Sequence, residues 1–477
     1  MSEKDLSAYL KENGFIIPNA EIYGGLAKSW DLGPRGAELK RNLKNLWWKY
    51  FITSSVYNVG VDSQIITHPQ VLNASGHLKE FYDWAVGCSN CWKFYRLDKI
   101  LSGKDYSTYL KLSEGDKRSY KVCERCPNCS KEINNESQKL NLLLATDLQV
   151  IEKREENKVY LRPETCQGIF TNFPTIQRST HRKLPFGIGQ IGKSFRNEIT
   201  LHHGIFRTRE FEQMELEFFC SAEESEKWWK YWTEKAWNFL QKIVVNDQKK
   251  IKRVDLSKEE LPHYAKKTQD LYFNYHFGWG ELCSNSHRGD YDLSQHSQHS
   301  KETGNKFWKG FWINGTIPEV VESSFGLERL MLAVLEDAYR EEVVTSSQLT
   351  RKVLRLHPLL APYFVAVIPL EESLWEKSEE LYCELLKNPL FSVAYEKTGN
   401  IGNRYRRQDA IGTYYCLTVD TLTISKNLSD GKTNPDYNTV TLRHRDTMNQ
   451  EEKRINVDDL EGYLKTQYQK FYFSISE

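Results

Sequence analysis

Residues 192–219, GKSFRNEITLHHGIFRTREFEQMELEFF, place three arginines and several glutamates among aromatic side chains. Two runs with the pattern of strands flank the polar turn LHHG, and side chains in a strand alternate between two faces. In the first run Arg196 and Glu198 share a face. One face of the second run carries Arg207, Arg209, Phe211, Gln213 and Glu215. The opposite face, which is typical of a core, carries Phe206, Thr208, Met214, Leu216 and Phe218.

A wall of this kind suits a polyanion that carries a flat ring. Guanidinium groups pair with phosphate, a carboxylate accepts from an exocyclic amine, and a phenyl face stacks on a purine. ATP fits that description. The alternative is an exposed sheet with cross-strand ion pairs, and the hairpin alone favours neither interpretation.

The cysteines form a second candidate site. GCSNC contains Cys88 and Cys91, and CERCPNC contains Cys123, Cys126 and Cys129. Two C-x-x-C pairs can present four thiolates to zinc, and we assign Cys88, Cys91, Cys126 and Cys129 as the ligands. Cys123 is the alternative partner of Cys126, but C-P-N-C resembles a zinc-knuckle turn more closely. Disulfides are disfavoured in a chain without a secretory signal.

Length and composition limit the class of protein. The chain has 477 residues, which suggests two to four domains, and 39% hydrophobic with 27% charged residues is ordinary for a globular protein. A net charge of +1 argues against a uniformly basic nucleic-acid coat. The start, MSEKDLSAYLKENG, lacks the apolar segment of a signal peptide, and no run approaches membrane-spanning length. We therefore expect a cytoplasmic protein.

Several predicted elements hold these residues in place. The segment GAELKRNLKNLWWKYFI has an apolar stripe at helical spacing, formed by Leu39, Leu43, Leu46, Trp47 and Tyr50. Residues 221–245 predict another amphipathic helix. HFGWGEL and HRGDYDL place Glu281 and Asp290 in glycine-containing strands or loops, where a carboxylate could hold a metal or an amine.

PEVVESSFGLERLMLAVLEDAY predicts a strand that runs into a buried helix, with Arg329 in the first turn. A cation there opposes the helix dipole, so a ligand explains this arginine better than a structural role.

Taken together, these motifs resemble a known family. FRNE, a loop and RTREF are similar to the second signature of class II aminoacyl-tRNA synthetases, and FGLER before an apolar helix is similar to the third. More narrowly, YGGLAKSWDLGPRG, YLRPETCQGIFTNF, FGIGQIGKSFRNEI, FRTREFEQMELEFF, GWGEL and YRRQDAIGT resemble the glycyl-tRNA synthetase family of the single-chain, homodimeric kind. The similarity covers nearly the whole chain.

The resemblance implies an ATP site. Arg196 would bridge the α-phosphate and the amino-acid carboxylate, Glu198 would accept from the adenine amine, and Arg207 would reach the γ-phosphate. Phe211 and Arg329 would stack on opposite faces of adenine. The catalytic set is Arg196, Glu198 and Arg329. The full set of residues that the resemblance implies for ATP binding is Arg196, Asn197, Glu198, Phe206, Arg207, Thr208, Arg209, Glu210, Phe211, Glu281, Leu282, Gly326, Leu327, Glu328 and Arg329.

The resemblance also implies a glycine site. Glu164, Glu215 and Ser324 would hold the amino acid, with Arg96 contributing. Glu281 and Glu322 resemble the acids that hold the nucleotide and its Mg²⁺. The full glycine set is Arg96, Glu164, Phe211, Glu212, Gln213, Met214, Glu215, Glu322, Ser323, Ser324, Phe325 and Gly326.

The fold implied is α+β: a class II antiparallel-sheet catalytic domain with an inserted four-cysteine zinc module, followed by a C-terminal α/β anticodon-binding domain. The boundaries are 1–85 for the first catalytic part, 86–131 for the zinc-knuckle module, 132–345 for the second catalytic part with a helical insertion near 221–270, and 350–477 for the anticodon-binding domain. The C-terminal groups that could meet RNA are Arg404, Tyr405, Arg406, Arg407, Arg443, His444 and Arg445.

The implied reaction attaches glycine to the 3′ end of tRNA(Gly) through a glycyl-adenylate, with ATP and Mg²⁺, in a homodimer. Departures from the family pattern are Ser323 for proline in ESSFG, Cys166 for alanine in RPETCQG, and LHHG, which lacks an expected proline. Two alternatives remain open. One is a class II enzyme for threonine, proline or histidine, and the other is a non-enzymatic relative such as a polymerase accessory subunit.

Overall fold

The computed structural model of the protein describes residues 3–26, 28–148, 158–199, 201–344, 349–451 and 453–476. The predicted boundaries at residues 1, 345 and 477 lie outside these ranges. Within the described ranges, no helix combines the length and the apolar character needed to cross a membrane. The first elements along the chain are α1 (Glu3–Glu12), β1 (Ile16–Pro18), β2 (Trp30–Leu32), α2 (Pro34–Trp48), β3 (Asn58–Gly60), β4 (Ile66–Thr67), α3 (Pro69–Ala74) and α4 (His77–Glu80).

The segment that carries both C-x-x-C pairs folds into short elements around its own apolar cluster. These elements are β5 (Tyr82–Gly87), β6 (Phe94–Arg96), α5 (Leu97–Ile100), α6 (Gly103–Leu110), α7 (Glu114–Ser119), β7 (Lys121–Arg125), β8 (Glu132–Glu136) and β9 (Gln138–Asn141). Sheets β6-β5-β9 and β7-β8 bury Val86, Tyr109, Val122 and Ile133 beside Cys88 and Cys126. The two cysteine pairs therefore lie in one compact unit.

The central part of the chain builds the main sheet. Its elements are β10 (Leu144–Asp147), β11 (Lys158–Leu161), α8 (Cys166–Thr180), β12 (Phe186–Phe195), β13 (Glu210–Cys220), α9 (Ser225–Ile243), β14 (Ile251–Asp255), β15 (Lys267–Tyr275), β16 (Gly278–Gly289), α10 (Tyr291–Glu302), β17 (Glu319–Gly326), α11 (Leu327–Ala338), β18 (Tyr339–Val344) and β19 (Leu349–Leu354). The sheet order is β14-β15-β16-β17-β13-β12-β3, and its neighbours are antiparallel except for the parallel pair β12 and β3. The predicted antiparallel-sheet domain is confirmed. The range 221–270 contains α9 and also β14 and the start of β15.

The alternation along β13 explains how this sheet separates core from site. Met214, Leu216 and Phe218 point to one face, where they join the buried residues of α2, α9 and α11. This layer contains the predicted stripe of α2, whose Leu39, Leu43, Leu46 and Trp47 are buried. The odd-numbered side chains point to the opposite face, which α8 partly covers. Polar groups therefore collect on one face while the other face supplies the core.

The C-terminal part forms a separate mixed sheet of order β21-β20-β22-β23-β24. Its elements are β20 (Val365–Pro369), α12 (Trp375–Leu385), β21 (Val393–Tyr395), α13 (Ile401–Ile411), β22 (Tyr415–Val419), α14 (Thr421–Ile424), β23 (Thr439–His444), β24 (Ile455–Asn456) and α15 (Val457–Ser476). Strand β20 is parallel to β21 and β22, whereas β23 is antiparallel to β22 and β24. The predicted α/β domain with a mixed sheet is confirmed.

Candidate active site

A cavity of about 330 Å³ opens on the polar face of the main sheet. It is lined from strands β13, β15, β16 and β17, from the start of α11, and from the segment that joins β12 to β13. The predicted site residues that line it are Glu164, Arg196, Glu198, Phe206, Arg207, Thr208, Phe211, Gln213, Glu215, Glu281, Glu322, Ser324, Gly326, Glu328 and Arg329. One sheet face therefore gathers residues from four separate parts of the sequence.

Arg196 follows the end of β12 and is held from two sides. Its backbone N–H donates to the carbonyl of Arg209 at 2.9 Å, and its Nε donates to the carbonyl of Pro163 at 3.0 Å. The guanidinium carbon lies 5.4 Å from the ring centre of Phe81 and 5.3 Å from that of Phe211. Among the described residues, no carboxylate lies within ion-pair distance of Arg196. Its charge is oriented by neutral partners and stays available to an anion.

Other charged groups of the cavity pair with one another. Glu198 is 8% exposed and accepts from Arg207 at 2.6 Å. The guanidinium of Arg329 lies 4.6 Å from the ring centre of Phe206, and its Nη1 is 3.4 Å from a carboxylate oxygen of Glu281. Aromatic rings therefore contact guanidinium groups at two points of the cavity wall, an arrangement that suits a planar, charged ligand.

The connection between the two strands differs from the predicted hairpin. Strand β12 ends at Phe195 and β13 begins at Glu210, while a single bridge between His202 and Arg207 organises the segment between them. Phe206, which strand alternation places on the core face, packs partly against the core and also lines the cavity. The same prediction was wrong for Thr208, which lines the cavity, because the chain is not extended there. Alternation applies only from Glu210 onward.

The far end of the cavity is acidic. Glu215 is 1% exposed and accepts hydrogen bonds from Thr165 Oγ1, from Gln213 Nε2 at 2.7 Å and from Ser324 Oγ at 2.7 Å. Glu164 accepts from Gln167 Nε2 at 2.9 Å and lies 3.4 Å from His77 Nε2. These donors fix two carboxylates beside the same small space.

The pKa values show how crowded these acids are. Burial raises the pKa of Glu215, and the charge of Glu164 raises it further. Burial also raises the pKa of Glu322 to about 7, although Arg288 opposes the shift. Burial alone would raise the pKa of Glu164, but His77 brings its net value well below the usual range. A ligand with a positive charge is therefore favoured at this end of the cavity.

Arg288 was missed by the sequence analysis. It is 2% exposed, donates through Nε and Nη2 to Asp292 and through Nη1 to Glu322 at 2.7 Å, and lies 3.8 Å from the ring centre of Tyr264. It is the unpaired residue of a β-bulge near the end of β16, a device that re-aims side chains near sites. The sequence did contain a signal for this ion pair, because Arg288 and Asp292 are four residues apart in HRGDYD and can therefore contact each other.

Ten predicted site residues lie outside the cavity lining: Arg96, Asn197, Arg209, Glu210, Glu212, Met214, Leu282, Ser323, Phe325 and Leu327. Four of them are core residues, namely Met214, Leu282, Phe325 and Leu327. Leu282 is the extra residue of a bulge in β16, which lets both Glu281 and Ser284 face the cavity.

The other six have polar partners or lie exposed. Arg96 pairs with Asp83 at 3.1 Å and with Asp98 at 2.9 Å. Glu212 lies 3.3 Å from Lys40 and 3.0 Å from Lys44. Ser323 donates to Asn285 at 2.7 Å, Glu210 pairs with Lys193, and the carbonyl of Arg209 accepts from Arg196. Asn197 is exposed.

The compact unit formed by β5 to β9, called the cysteine unit below, is a second candidate site. The four predicted ligand sulfurs all lie within 4.8 Å of one another, and the pairs Cys88–Cys129 and Cys91–Cys126 are each 3.6 Å apart. Four sulfurs at about 2.3 Å from a tetrahedral zinc ion would be about 3.8 Å apart, so the spacing fits that ion. Cys123 is exposed and contacts Asn134 instead.

The C-terminal arginines do not form the predicted RNA-binding set. Arg404, Arg443 and Arg445 are 5%, 8% and 1% exposed. Arg443 pairs with Asp409, and Arg445 donates to the carbonyls of Leu356 and Gly412. The prediction is wrong for these three side chains, because their donors stabilise the domain itself. Arg406 and Arg407 are exposed, and Arg407 pairs with Glu396 at 2.8 Å.

Comparison with known proteins agrees with this architecture. Residues 149–338 match the family model of the tRNA synthetase class II core domain (G, H, P, S and T), and residues 364–467 match that of an anticodon binding domain. A crystal structure of prolyl-tRNA synthetase from Cryptosporidium parvum, complexed with halofuginone and AMPPNP, superposes with a TM-score of 0.59 at 13% identity. The match covers 99% of this chain and 78% of that structure, and it supports the fold.

Curated relatives are much more similar. A glycine–tRNA ligase of Mesoplasma florum is 44% identical over 97% of this chain and 99% of the relative. One of Mycoplasma capricolum subsp. capricolum is 45% identical over 98% and 99%, and one of Caldanaerobacter subterraneus subsp. tengcongensis is 44% identical over 96% of each chain. The predicted resemblance is confirmed: the chain belongs to the glycine–tRNA ligase family of class II aminoacyl-tRNA synthetases.

Proposed function

We propose that the chain attaches glycine to the 3′ end of tRNA(Gly) through a glycyl-adenylate, with ATP as the second substrate. One observation carries this proposal. A single cavity contains Arg196, whose guanidinium is free to bind an anion, and two carboxylates, Glu164 and Glu215, that are held by hydrogen bonds. That arrangement suits a phosphate and an ammonium group side by side. The test is glycine-dependent exchange of pyrophosphate into ATP, followed by transfer of labelled glycine to tRNA(Gly).

In the first step, a carboxylate oxygen of glycine attacks the α-phosphorus of ATP. A phosphorus–oxygen bond forms to the glycyl group, and the bond to the leaving pyrophosphate breaks. Arg196 would hold the α-phosphate and stabilise the charge that develops on its oxygens. No protein nucleophile takes part, so the residues accelerate the step by alignment and charge stabilisation.

The remaining predicted ATP residues have corresponding tasks in this cavity. Glu198 would accept from the adenine amine, and Arg207, already 2.6 Å from Glu198, would turn toward the γ-phosphate. Phe211 and Arg329 would contact the adenine ring. All these groups line the cavity, which favours catalysis over a non-enzymatic binding module.

Mg²⁺ bound with ATP would supply positive charge to the phosphates. Oxygen ligands suit this ion, and Glu281 and Glu322 both present carboxylates to the cavity. Asp270 also lines it, and one of its buried oxygens has no hydrogen-bond partner within the described protein. The donor set therefore fits the ion.

In the second step, the 3′-terminal ribose hydroxyl of the tRNA attacks the carbonyl carbon of glycyl-adenylate, and AMP leaves. The amino acid is selected by size and charge. Glu164 and Glu215 would bind its ammonium group, and Ser324 is held against Glu215. A larger amino acid would overfill a space bounded by fixed side chains, which is an effective way to reject it.

We further propose that the C-terminal domain contacts the anticodon through exposed groups such as Arg406, that the enzyme is a homodimer, and that it acts in the cytoplasm. A reducing compartment is consistent with the cysteines of the described chain, none of which is in a disulfide.

We propose that the cysteine unit binds one structural zinc ion through Cys88, Cys91, Cys126 and Cys129. All four ligands lie within the short-stranded unit, whose small apolar core offers limited stability of its own. Zinc would therefore contribute directly to its folding.

Replacing Cys126 with serine is expected to remove zinc from the purified protein, because it deletes one of the four proposed ligands. Cys123→Ser is the matched control and is expected to keep about one zinc ion per chain. Metal analysis by mass spectrometry measures both, and limited proteolysis reports whether the unit loosens. Loss of zinc in Cys123→Ser with retention in Cys126→Ser would reverse the ligand assignment.

A further inference from the structure

Behind the acidic end of the cavity, three side chains form a cluster that the proposed reaction does not use as a whole. The cluster consists of Cys166, the first residue of α8, with Glu215 and Glu217 of β13. The thiol sulfur and one oxygen from each carboxylate all lie within 4.8 Å of one another. The three residues are 1%, 1% and 0% exposed.

Glu217 is the unusual member of this cluster. Neither of its carboxylate oxygens has a hydrogen-bond partner within the described part of the protein. A buried carboxyl group without a partner costs free energy, so such a group usually has a ligand or a functional role. Its side chain lies on the same face of β13 as Glu215, which lines the cavity, and a ligand could enter from there.

We infer that Cys166, Glu215 and Glu217 form a binding site for a zinc-like divalent cation. A thiolate and two carboxylates are a ligand set that such ions accept. The thiol proton, and any proton carried by the two carboxyl groups, would leave to solvent as the bonds to the metal form. Tetrahedral coordination needs ligand atoms about 3.5 Å apart, so side-chain shifts of about 1 Å would close the site. Glu164 Oε1, which is 3.0 Å from the sulfur, is placed to approach a fourth position.

The surrounding charge favours a cation. Glu322, Glu215 and Asp292 act electrostatically on Glu217, and Glu164 acts on Glu215. Arg288 is the guanidinium that acts on Glu217, Glu215 and Glu164. A divalent ion would offset this excess of acid. It would also occupy Glu215 and so compete with the ammonium group of glycine, a consequence that rests on the proposed function.

Cys166 supplies the sulfur of this cluster and is 1% exposed. Cys166→Ala removes the sulfur and leaves a small apolar side chain at a buried position, so the variant is expected to fold and to activate glycine normally. A metal effect that depends on this thiol would make the amino-acid site of this enzyme sensitive to thiophilic metals, whereas an alanine-containing enzyme would resist them.

The experiment compares cadmium binding by the zinc-loaded full chain and by its Cys166→Ala variant. Equilibrium dialysis, with zinc and cadmium measured together, gives the number of ions bound, and the ultraviolet sulfur-to-cadmium absorbance reports the thiolate bond. We expect about one more cadmium ion per chain in the parent protein, and a loss of affinity of at least about 100-fold in Cys166→Ala and in Glu217→Gln. Cadmium bound by the other cysteines is the same in both proteins, so it does not affect the difference between them.

The second readout is pyrophosphate exchange at several glycine concentrations with added cadmium. We expect the apparent KM for glycine to rise in the parent protein and to stay constant in Cys166→Ala. Equal cadmium binding by the two proteins would overturn the inference. A difference in binding without any effect on glycine would keep the metal site and would separate it from the glycine subsite.

Discussion

Arg196→Ala is expected to lower the rate of glycine-dependent pyrophosphate exchange by about 10³-fold or more, the range measured when a charge-stabilising group is removed from a phosphoryl-transfer or acyl-transfer site. The guanidinium is oriented by the Pro163 carbonyl and by the rings of Phe81 and Phe211, and no described carboxylate neutralises it. Removing it would leave the α-phosphate without its positioned cation. Stability should change little, because the residue is only half-buried.

Arg253→Ala is the matched control. This arginine lies on β14, pairs with Glu234 at 2.7 Å and is not part of the cavity lining. A surface ion pair contributes only about 0–1 kcal/mol, so its exchange rate should match that of the parent protein. A rate within tenfold of the parent for Arg196→Ala would show that another group stabilises the α-phosphate.

Glu215→Gln is expected to raise the KM for glycine by about 100-fold while the KM for ATP changes little. A charge-assisted hydrogen bond contributes about 1.5–3 kcal/mol, and leaving a buried charge unpaired costs more. The new amide N–H would also face Thr165, Gln213 and Ser324, which now donate to Glu215. The variant should therefore bind glycine more weakly, because it lacks the negative charge of Glu215 and because its amide would disturb the hydrogen bonds around that position.

The test is a split of the kinetic parameters, with KM measured separately for glycine and ATP. Glu226→Gln serves as control, because this exposed carboxylate of α9 pairs with Lys230 and Lys267 and lies outside the cavity lining. An equal rise of both KM values in Glu215→Gln would indicate a general distortion of the sheet and would contradict a specific role in holding the ammonium group.

The sequence predicted most of this site because two simple rules apply to it. Alternation along a strand places Phe211, Gln213 and Glu215 on the cavity face, and a strand followed by an apolar helix places Arg329 in the first turn of α11. Both rules are local and depend on few neighbours.

Prediction failed where the chain leaves regular structure. Thr208 lies in a segment that is not extended, and bulges in β16 shift the pattern at Leu282 and Arg288. Arg443 and Arg445 were wrongly predicted to contact RNA, because a cluster of arginines in the sequence does not show whether their side chains face solvent. Tertiary partners such as Asp409 decide that, and they are distant along the chain.

The most direct test of the central claim is amino-acid-dependent exchange of labelled pyrophosphate into ATP in the presence of Mg²⁺. Glycine is compared with alanine, serine, threonine, proline and histidine under identical conditions. The acidic, narrowly bounded end of the cavity beside Arg196 predicts exchange with glycine and none above background with the others. Exchange with any of the larger amino acids at a rate comparable to glycine, or no exchange with glycine, would contradict the proposed function.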